Sequence, residues 1–355
     1  MATHLFSPLE QRSVTLRNRI VVSPMCQYSS QDGFANDWHL VHLTTRALGG
    51  AALVFTEAAS VTAAGRISPD DLGIWKDEHV PLLRHIAALV RSHGAACGMQ
   101  VAHAGRKAST ASPWKGNKPI PLAAGGWEVV GPSPLAFADG YQVPRQLTLG
   151  EIGAVVEAFA AAARRALAAG FQVLEIHAAH GYLIHEFLSP LSNQRTGGYG
   201  GSRDNRMRLL CEVIEAVRGV WPDSLPLWVR ISATEWVDGG WSVDDSVALA
   251  RRIAPLGVDT LDCSSGGNVP HVAIPAGPGY QTAAAARIRR ESGLATAAVG
   301  MITAPAQADH ILRTGQADAV VLARELLRRP YWPLHAARAL GHDIAWPVQY
   351  QRAKD

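Results

Sequence analysis

The chain has 355 residues, a formal net charge of +3, 48% hydrophobic and 18% charged residues. The charge is too small to point to nucleic acid or an anionic membrane, and the low hydrophobicity with high charge of a disordered chain is absent. The four cysteines, Cys26, Cys97, Cys211 and Cys263, are widely spaced, which excludes a CxxC site or an iron–sulfur run and suits a cytoplasmic protein with free thiols.

In chain order, Met1-Ala-Thr-His-Leu-Phe-Ser-Pro8 has no charged stretch leading into an apolar run, so no signal peptide is expected, and no later segment is apolar enough to span a bilayer. The segment before residue 18 is expected to plug the bottom of a barrel. Ile20 to Pro24 and Ala52 to Thr56 read as strands. A unit then recurs: an amphipathic segment ends at a glycine and a short apolar run follows. Gly94 precedes Gly98 to His103, and Gly170 precedes Val173 to His177. Gly257 precedes Thr260 to Ser264, Gly293 precedes Ala295 to Gly300, and Gly315 precedes Ala319 to Arg324. Such glycines suit helix C′ positions with positive φ. Leu227 to Ser232 completes eight strands.

Helix starts are readable too. Thr148 with Glu151 forms a capping-box pattern, Ser242 precedes Asp244 and Asp245, and Pro305 sits where a first turn begins. The glycine cluster from Gly197 to Gly201 lacks a following Lys-Ser/Thr, so it fails as a P-loop and reads as a turn into a helix near Ser202. Eight strands alternating with helices predict an α/β fold, a (β/α)8 TIM barrel in one domain over 1–355. Residues 104–147, rich in Pro, Gly and Trp, read as an inserted capping segment after strand three, and 341–355 as a C-terminal tail.

Active sites of such barrels lie at the C-terminal ends of the strands. Those ends offer Pro24-Met25-Cys26, Glu57-Ala58, Gln100, His177, Arg230, Ser264-Ser265-Gly266-Gly267, Gly300 and Arg324. Alternation points Trp228, Arg230 and Ser232 into the barrel, together with Val173, Glu175 and His177. A buried Arg230 needs a partner, and Glu175 is the expected counter-charge. The loops after strands seven and eight, Gly300-Met301 and Ala323-Arg324, suit a phosphate.

His177-Ala-Ala-His180-Gly-Tyr182 puts two imidazoles and a phenol on one strand-end loop. Metal ligation for hydrolysis is one reading, but strand one offers Cys26 and no His, so it ranks low. The other reading is a pair of N–H donors that polarise a substrate oxygen.

Several segments resemble the old yellow enzyme family. They are Ser23-Pro-Met-Cys-Gln-Tyr28, Gln100-Val-Ala-His-Ala-Gly-Arg-Lys107, His177 to Tyr182, Leu188-Ser-Pro-Leu-Ser-Asn193, Tyr199-Gly-Gly-Ser202 with Asn205-Arg206, Val229-Arg-Ile-Ser232, Ala298 to Thr303 and Ala323 to Leu327. The match runs on to Pro347-Val-Gln-Tyr350, nearly the whole chain. Cys26 and the paired histidines resemble the thermophilic-like subgroup with its bacterial xenobiotic reductases. The resemblance implies FMN at the barrel mouth and NADPH (or NADH) as hydride donor. Ser23, Pro24, Met25, Cys26 and Ala58 would line the flavin, Gln100 would bond its pyrimidine ring, and Arg230 would sit by N1 and O2. Gly300, Met301, Ala323 and Arg324 would hold the phosphate. A ping-pong cycle would reduce activated alkenes, with His177 and His180 binding the carbonyl or nitro oxygen, Tyr182 donating the proton and Tyr28 contacting substrate. Cys26 would tune the flavin rather than act as a nucleophile. The family also implies a homodimer or homotetramer in which Arg352 reaches a neighbour's site. A metal-dependent barrel hydrolase and a non-catalytic flavin-binding protein are the competing expectations.

Overall fold

A computed structural model describes residues 4–354; Met1 to Thr3 and Asp355, the ends of the expected domain and tail, lie outside them. The strands are β1 (Leu9–Gln11), β2 (Val14–Leu16), β3 (Ile20–Val22), β4 (Leu53–Ser60), β5 (Ala96–Ala102), β6 (Val130–Gly131), β7 (Arg145–Gln146), β8 (Val173–Ala178), β9 (Leu227–Ser232), β10 (Thr260–Ser264), β11 (Ala295–Val299) and β12 (Ala319–Leu322). β3, β4, β5, β8, β9, β10, β11 and β12 close in that order into a parallel barrel. This is the expected TIM barrel.

The helices are α1 (Asp37–Leu48), α2 (Val80–Ser92), α3 (Leu149–Ala168), α4 (Leu183–Leu188), α5 (Arg203–Arg218), α6 (Val243–Ile253), α7 (Thr282–Ser292), α8 (Pro305–Arg313), α9 (Arg324–Arg328) and α10 (Trp332–Ala339). The starts follow the sequence cues. Thr148 and Glu151 form a capping box on α3, Ser242 and Asp245 another on α6, Ser202 caps α5, and Pro305 opens α8. Gly94, Gly170, Gly257, Gly293 and Gly315 all have positive φ just past helical segments. No helix among the described residues is long and apolar enough to cross a membrane.

Strand alternation sorts the core into two layers. Val173, Trp228, Phe55, Val299 and Val321 pack inside the barrel, while Leu174, Ile176, Leu227, Val229 and Ile231 face the helices. The β1–β2 hairpin closes the bottom: Val14 and Leu16 join the inner cluster. Gln11 Oε1 accepts from Trp228 Nε1 at 2.6 Å, and its Nε2 donates to Thr260 Oγ1 at 2.6 Å. These bonds satisfy polar groups that would otherwise be buried unpaired. Residues 104–147 follow β5 and run through three short 3-10 turns and the two-stranded β6–β7 pair.

Candidate active site

Register brings the inward polar groups together. His177 on β8 stands level with Arg230 on β9, which stands level with Asp262 on β10. Register partners point to the same side of a sheet, so all three face the interior. Arg230 donates through Nη1 to Ser23 Oγ at 2.9 Å, and its Nε lies 3.4 Å from Asp262 Oδ2. Asp262, not Glu175, therefore makes the ion pair that the sequence reading gave to Glu175. The reason is register: Glu175 stands level with Trp228, one step below, and accepts instead from Gln100 Nε2 at 2.7 Å. Burial and the Asp262 carboxylate push Glu175 up, and burial raises Asp262 against the pull of Arg230. Arg230 Nε keeps no hydrogen-bond partner and is buried.

The loop after β8 carries the two imidazoles. The Ala179 N–H donates to His177 Nδ1 at 3.1 Å. A ring nitrogen that accepts a backbone N–H has no proton, so the neutral ring carries it on Nε2. His180 Nδ1 lies 3.4 Å from that Nε2. Burial first, then the Arg230 guanidinium, hold both rings well below the usual imidazole range, so both are neutral. The Tyr182 ring meets His177 edge-on at 5.0 Å, and burial raises its phenol well above the usual tyrosine range, so it stays protonated.

His180 has φ +60 and is held on every side. Its N–H donates to Ser232 Oγ at 2.9 Å, and its carbonyl accepts from Lys107 Nζ at 2.9 Å. The following N–H, of Gly181, donates to His185 Nδ1 at 2.8 Å, and His185 Nε2 lies 3.2 Å from Glu235 Oε1. The loop after β10 packs directly on this turn. A Cβ on Gly267 would lie 2.7 Å from His180 Cα, and one on Gly181 would lie 2.4 Å from the Gly267 carbonyl oxygen. Only glycine permits that approach.

Pro24, Met25, Cys26 and Tyr28 form the half-buried loop after β3. Burial, with Asp71 and Glu57 nearby, pushes the Cys26 thiol up. A thiol held protonated is a poor nucleophile. Ala58 stands level with Gln100, just past an irregularity between Phe55 and Ala58.

Beside the C-terminal ends of β10, β11 and β12, a cavity of about 270 Å³ is lined by Ser264, Tyr280, Gly300, Met301, Ala323 and Arg324, among others. Arg324 is exposed and pairs with no group among the described residues. Gly300 has φ +125, and a Cβ there would lie 2.8 Å from Gln281 Nε2. A guanidinium with free donors beside a cavity suits a phosphate, and Arg230 with a spare N–H suits an electron-rich ring edge. The residues thus fit a flavin mononucleotide. Arg352 is exposed on the tail, and among the described residues no hydrogen bond or ion pair joins it to this cluster.

Lys107, Ser232, Asp262, Ser264 and Gln281 belong to the site but carry no role in the sequence reading. The alternation of Thr260, Asp262 and Ser264 along β10 is a usable signal for two of them. Among the described residues, no three His, Cys, Asp or Glu side chains gather as metal ligands.

Residues 4–342 match the sequence model of the NADH:flavin oxidoreductase / NADH oxidase family. An NADPH dehydrogenase of Geobacillus sp. (strain WCH70) is 51% identical over 354 residues, 99% of each chain. One from Bacillus subtilis (strain 168) is 44% identical over 354 residues, again 99% of each chain. A solved structure of morphinone reductase in complex with tetrahydroNAD superposes with a TM-score of 0.78 at 26% identity, covering 97% of this chain and 92% of that one. The metal-hydrolase expectation gives way to these flavoenzyme relatives. The chain is an FMN- and NAD(P)H-dependent oxidoreductase and belongs to the old yellow enzyme family.

Proposed function

We propose that the chain is an ene-reductase, using hydride from NADPH (or NADH) to reduce the C=C bond of α,β-unsaturated carbonyl or nitro compounds. When bound, FMN would supply the hydride-transfer chemistry that links the nicotinamide to the alkene. Ser23, Pro24, Met25, Cys26, Ala58, Gln100 and Arg230 hold its ring system, and Gly300, Met301, Ala323 and Arg324 its phosphate. Arg230 is a fixed cation where negative charge gathers.

The observation that carries the reading is the His177–His180 pair. Two neutral imidazoles lie with Nε2 and Nδ1 3.4 Å apart. Donors so placed can share one oxygen and stabilise the charge that develops on it during reduction. Neutral rings bind that oxygen without transferring their protons to it. Tyr182, protonated and with no hydrogen-bond partner for its hydroxyl among the described residues, supplies the proton to Cα. Tyr28 contacts substrate, residues 104–147 cap the mouth, and Arg352, exposed and without a partner among the described residues, suits a contact on a neighbouring copy in a homodimer or homotetramer.

Anaerobic NADPH should bleach the flavin of the purified holoenzyme, and 2-cyclohexenone or maleimide should restore the colour. A flavin that NADPH reduces but neither alkene reoxidises would overturn the ene-reductase reading. A flavin that NADPH cannot reduce would favour a non-catalytic flavin protein.

A further inference from the structure

His177 and His180 differ in what sets their protons. Backbone geometry settles His177: its Nδ1 accepts the Ala179 N–H. Among the described residues no backbone group hydrogen-bonds the His180 ring. Its Nε2 lies instead 2.7 Å from Ser264 Oγ. Ser264 ends β10, level with Ser232 on β9. The two serines grip one residue, Ser232 by the backbone N–H and Ser264 by the ring.

The direction of the Ser264 bond follows from its surroundings. The hydroxyl has two acceptors in reach, His180 Nε2 at 2.7 Å and Gln281 Oε1 at 3.5 Å. Gln281 cannot turn its amide over, because its Nε2 donates to the Val299 carbonyl at 2.9 Å. Its Oε1 already accepts from Ser265 Oγ at 2.5 Å. Gln281 Oε1 has a second lone pair to offer, but at 3.5 Å it makes a far weaker bond than the free ring lone pair at 2.7 Å. Ser264 then donates to His180 Nε2, and the ring keeps its proton on Nδ1, the nitrogen that faces His177.

We infer that Ser264 is a positioning residue that sets the His180 tautomer, so that the two histidines present N–H donors to the same substrate oxygen. The inference rests on the oxygen-binding reading of the pair. With the other tautomer, His180 Nδ1 would be an acceptor. It would take the His177 proton in a ring-to-ring bond and repel an enolate-like oxygen. Ser264 also lines the cavity beside Arg324. One residue therefore joins the oxygen-binding end of the mouth to its phosphate-binding end.

The test uses 15N-histidine-labelled holoenzyme at matched FMN content. In the wild type, His180 should show a protonated Nδ1 and an unprotonated Nε2, and His177 the reverse. Ser264→Ala should shift His180 towards the Nε2–H form. Loss of one such hydrogen bond should weaken binding of p-hydroxybenzaldehyde, read from its charge-transfer band, by roughly tenfold. Reoxidation by 2-cyclohexenone should slow more than reduction by NADPH. Ser264→Thr, which keeps the hydroxyl, should restore tautomer and affinity. A wild-type His180 protonated on Nε2 overturns the assignment, whether or not Ser264→Ala retains FMN. So does an unchanged tautomer and unchanged phenol affinity in Ser264→Ala. Failure of the wild type to bind the phenol would instead overturn the oxygen-binding reading, and the tautomer measurement would still judge Ser264.

Discussion

The Lys107 ammonium lies 5.2 Å from the centroid of the Tyr182 ring while donating to the carbonyls of His180 and Gly267, each at 2.9 Å. One half-buried cation thus ties the loops after β8 and β10 together beside the phenol assigned as proton donor. A positive charge so close favours the phenolate that forms once the proton has left. Burial pulls Lys107 down to about 8, against the raising effect of Glu186.

Tyr182→Phe should slow reoxidation by 2-cyclohexenone by about a hundredfold, the usual worth of a general acid, and leave reduction by NADPH nearly intact. Stopped-flow measurement of the two half-reactions separates the cases. Equal losses in both would remove Tyr182 from the proton-transfer role.

Lys107 gives that step a pH signature. The ammonium is charged below about 8 and neutral above it, so the oxidative rate should fall as pH rises through that value. Lys107→Met should lower the rate by roughly tenfold at pH 7, in line with a partly desolvated cation–π contact, and abolish this alkaline limb. An unchanged pH profile in the variant would exclude the electrostatic role.

Arg324→Ala should weaken FMN binding by about tenfold or more, the loss expected for a charge-assisted contact. Riboflavin, which has no phosphate, should bind wild type and variant alike. Isothermal titration of the apoprotein with each flavin makes the comparison, and an equal loss for both would place the phosphate elsewhere.

Gly267→Ala should both destabilise the fold and disturb the site. The added Cβ meets His180 backbone, and φ at Gly267 is +89. Strain of this kind costs about 1–3 kcal/mol. Thermal unfolding should show a lower Tm, and phenol titration a weaker charge-transfer complex. A variant as stable as wild type would show that the two loops separate easily.

Glu186 links stability to pH. Its Oε1 accepts the Arg106 N–H at 2.8 Å, while Oε2 is buried without a partner. Burial pushes the carboxyl up to about 8, against the pull of Arg106. Folding therefore tightens its proton. Its stabilising contribution is whole below the unfolded pKa of about 4.5 and is lost as pH rises through about 8. Glu186→Gln should flatten the decline of Tm between pH 5 and 8, by roughly 5 °C. Calorimetry across that range tests it, and an unchanged slope would assign the decline to other groups.

Much of the barrel is legible in the chain because its rhythm is local. Leu227–Ser232 and Thr260–Ser264 occur as strands with the boundaries read from sequence. β3 stops at Val22, short of Pro24, whose nitrogen has no proton for a ladder. β4 runs on to Ser60, because Glu57 and Ser60 are buried and bonded, which no hydropathy pattern shows. His177, His180 and Tyr182 are visible because they share one loop. Lys107 is not, because its partners lie 73 and 160 positions away. The pairing of Asp262 with Arg230 is not legible: alternation tells which way a side chain points, but not which neighbour stands level with it.

The hairpin that bonds Gln11 to Trp228 and Thr260 shuts the lower end of the barrel. Under the ene-reductase proposal, nicotinamide and alkene would share the mouth at the strands' C-terminal ends, and whichever occupied it would bar the other. Double-reciprocal plots should then run parallel at low concentrations, and an excess of either reactant should throttle turnover, relieved only by raising the other.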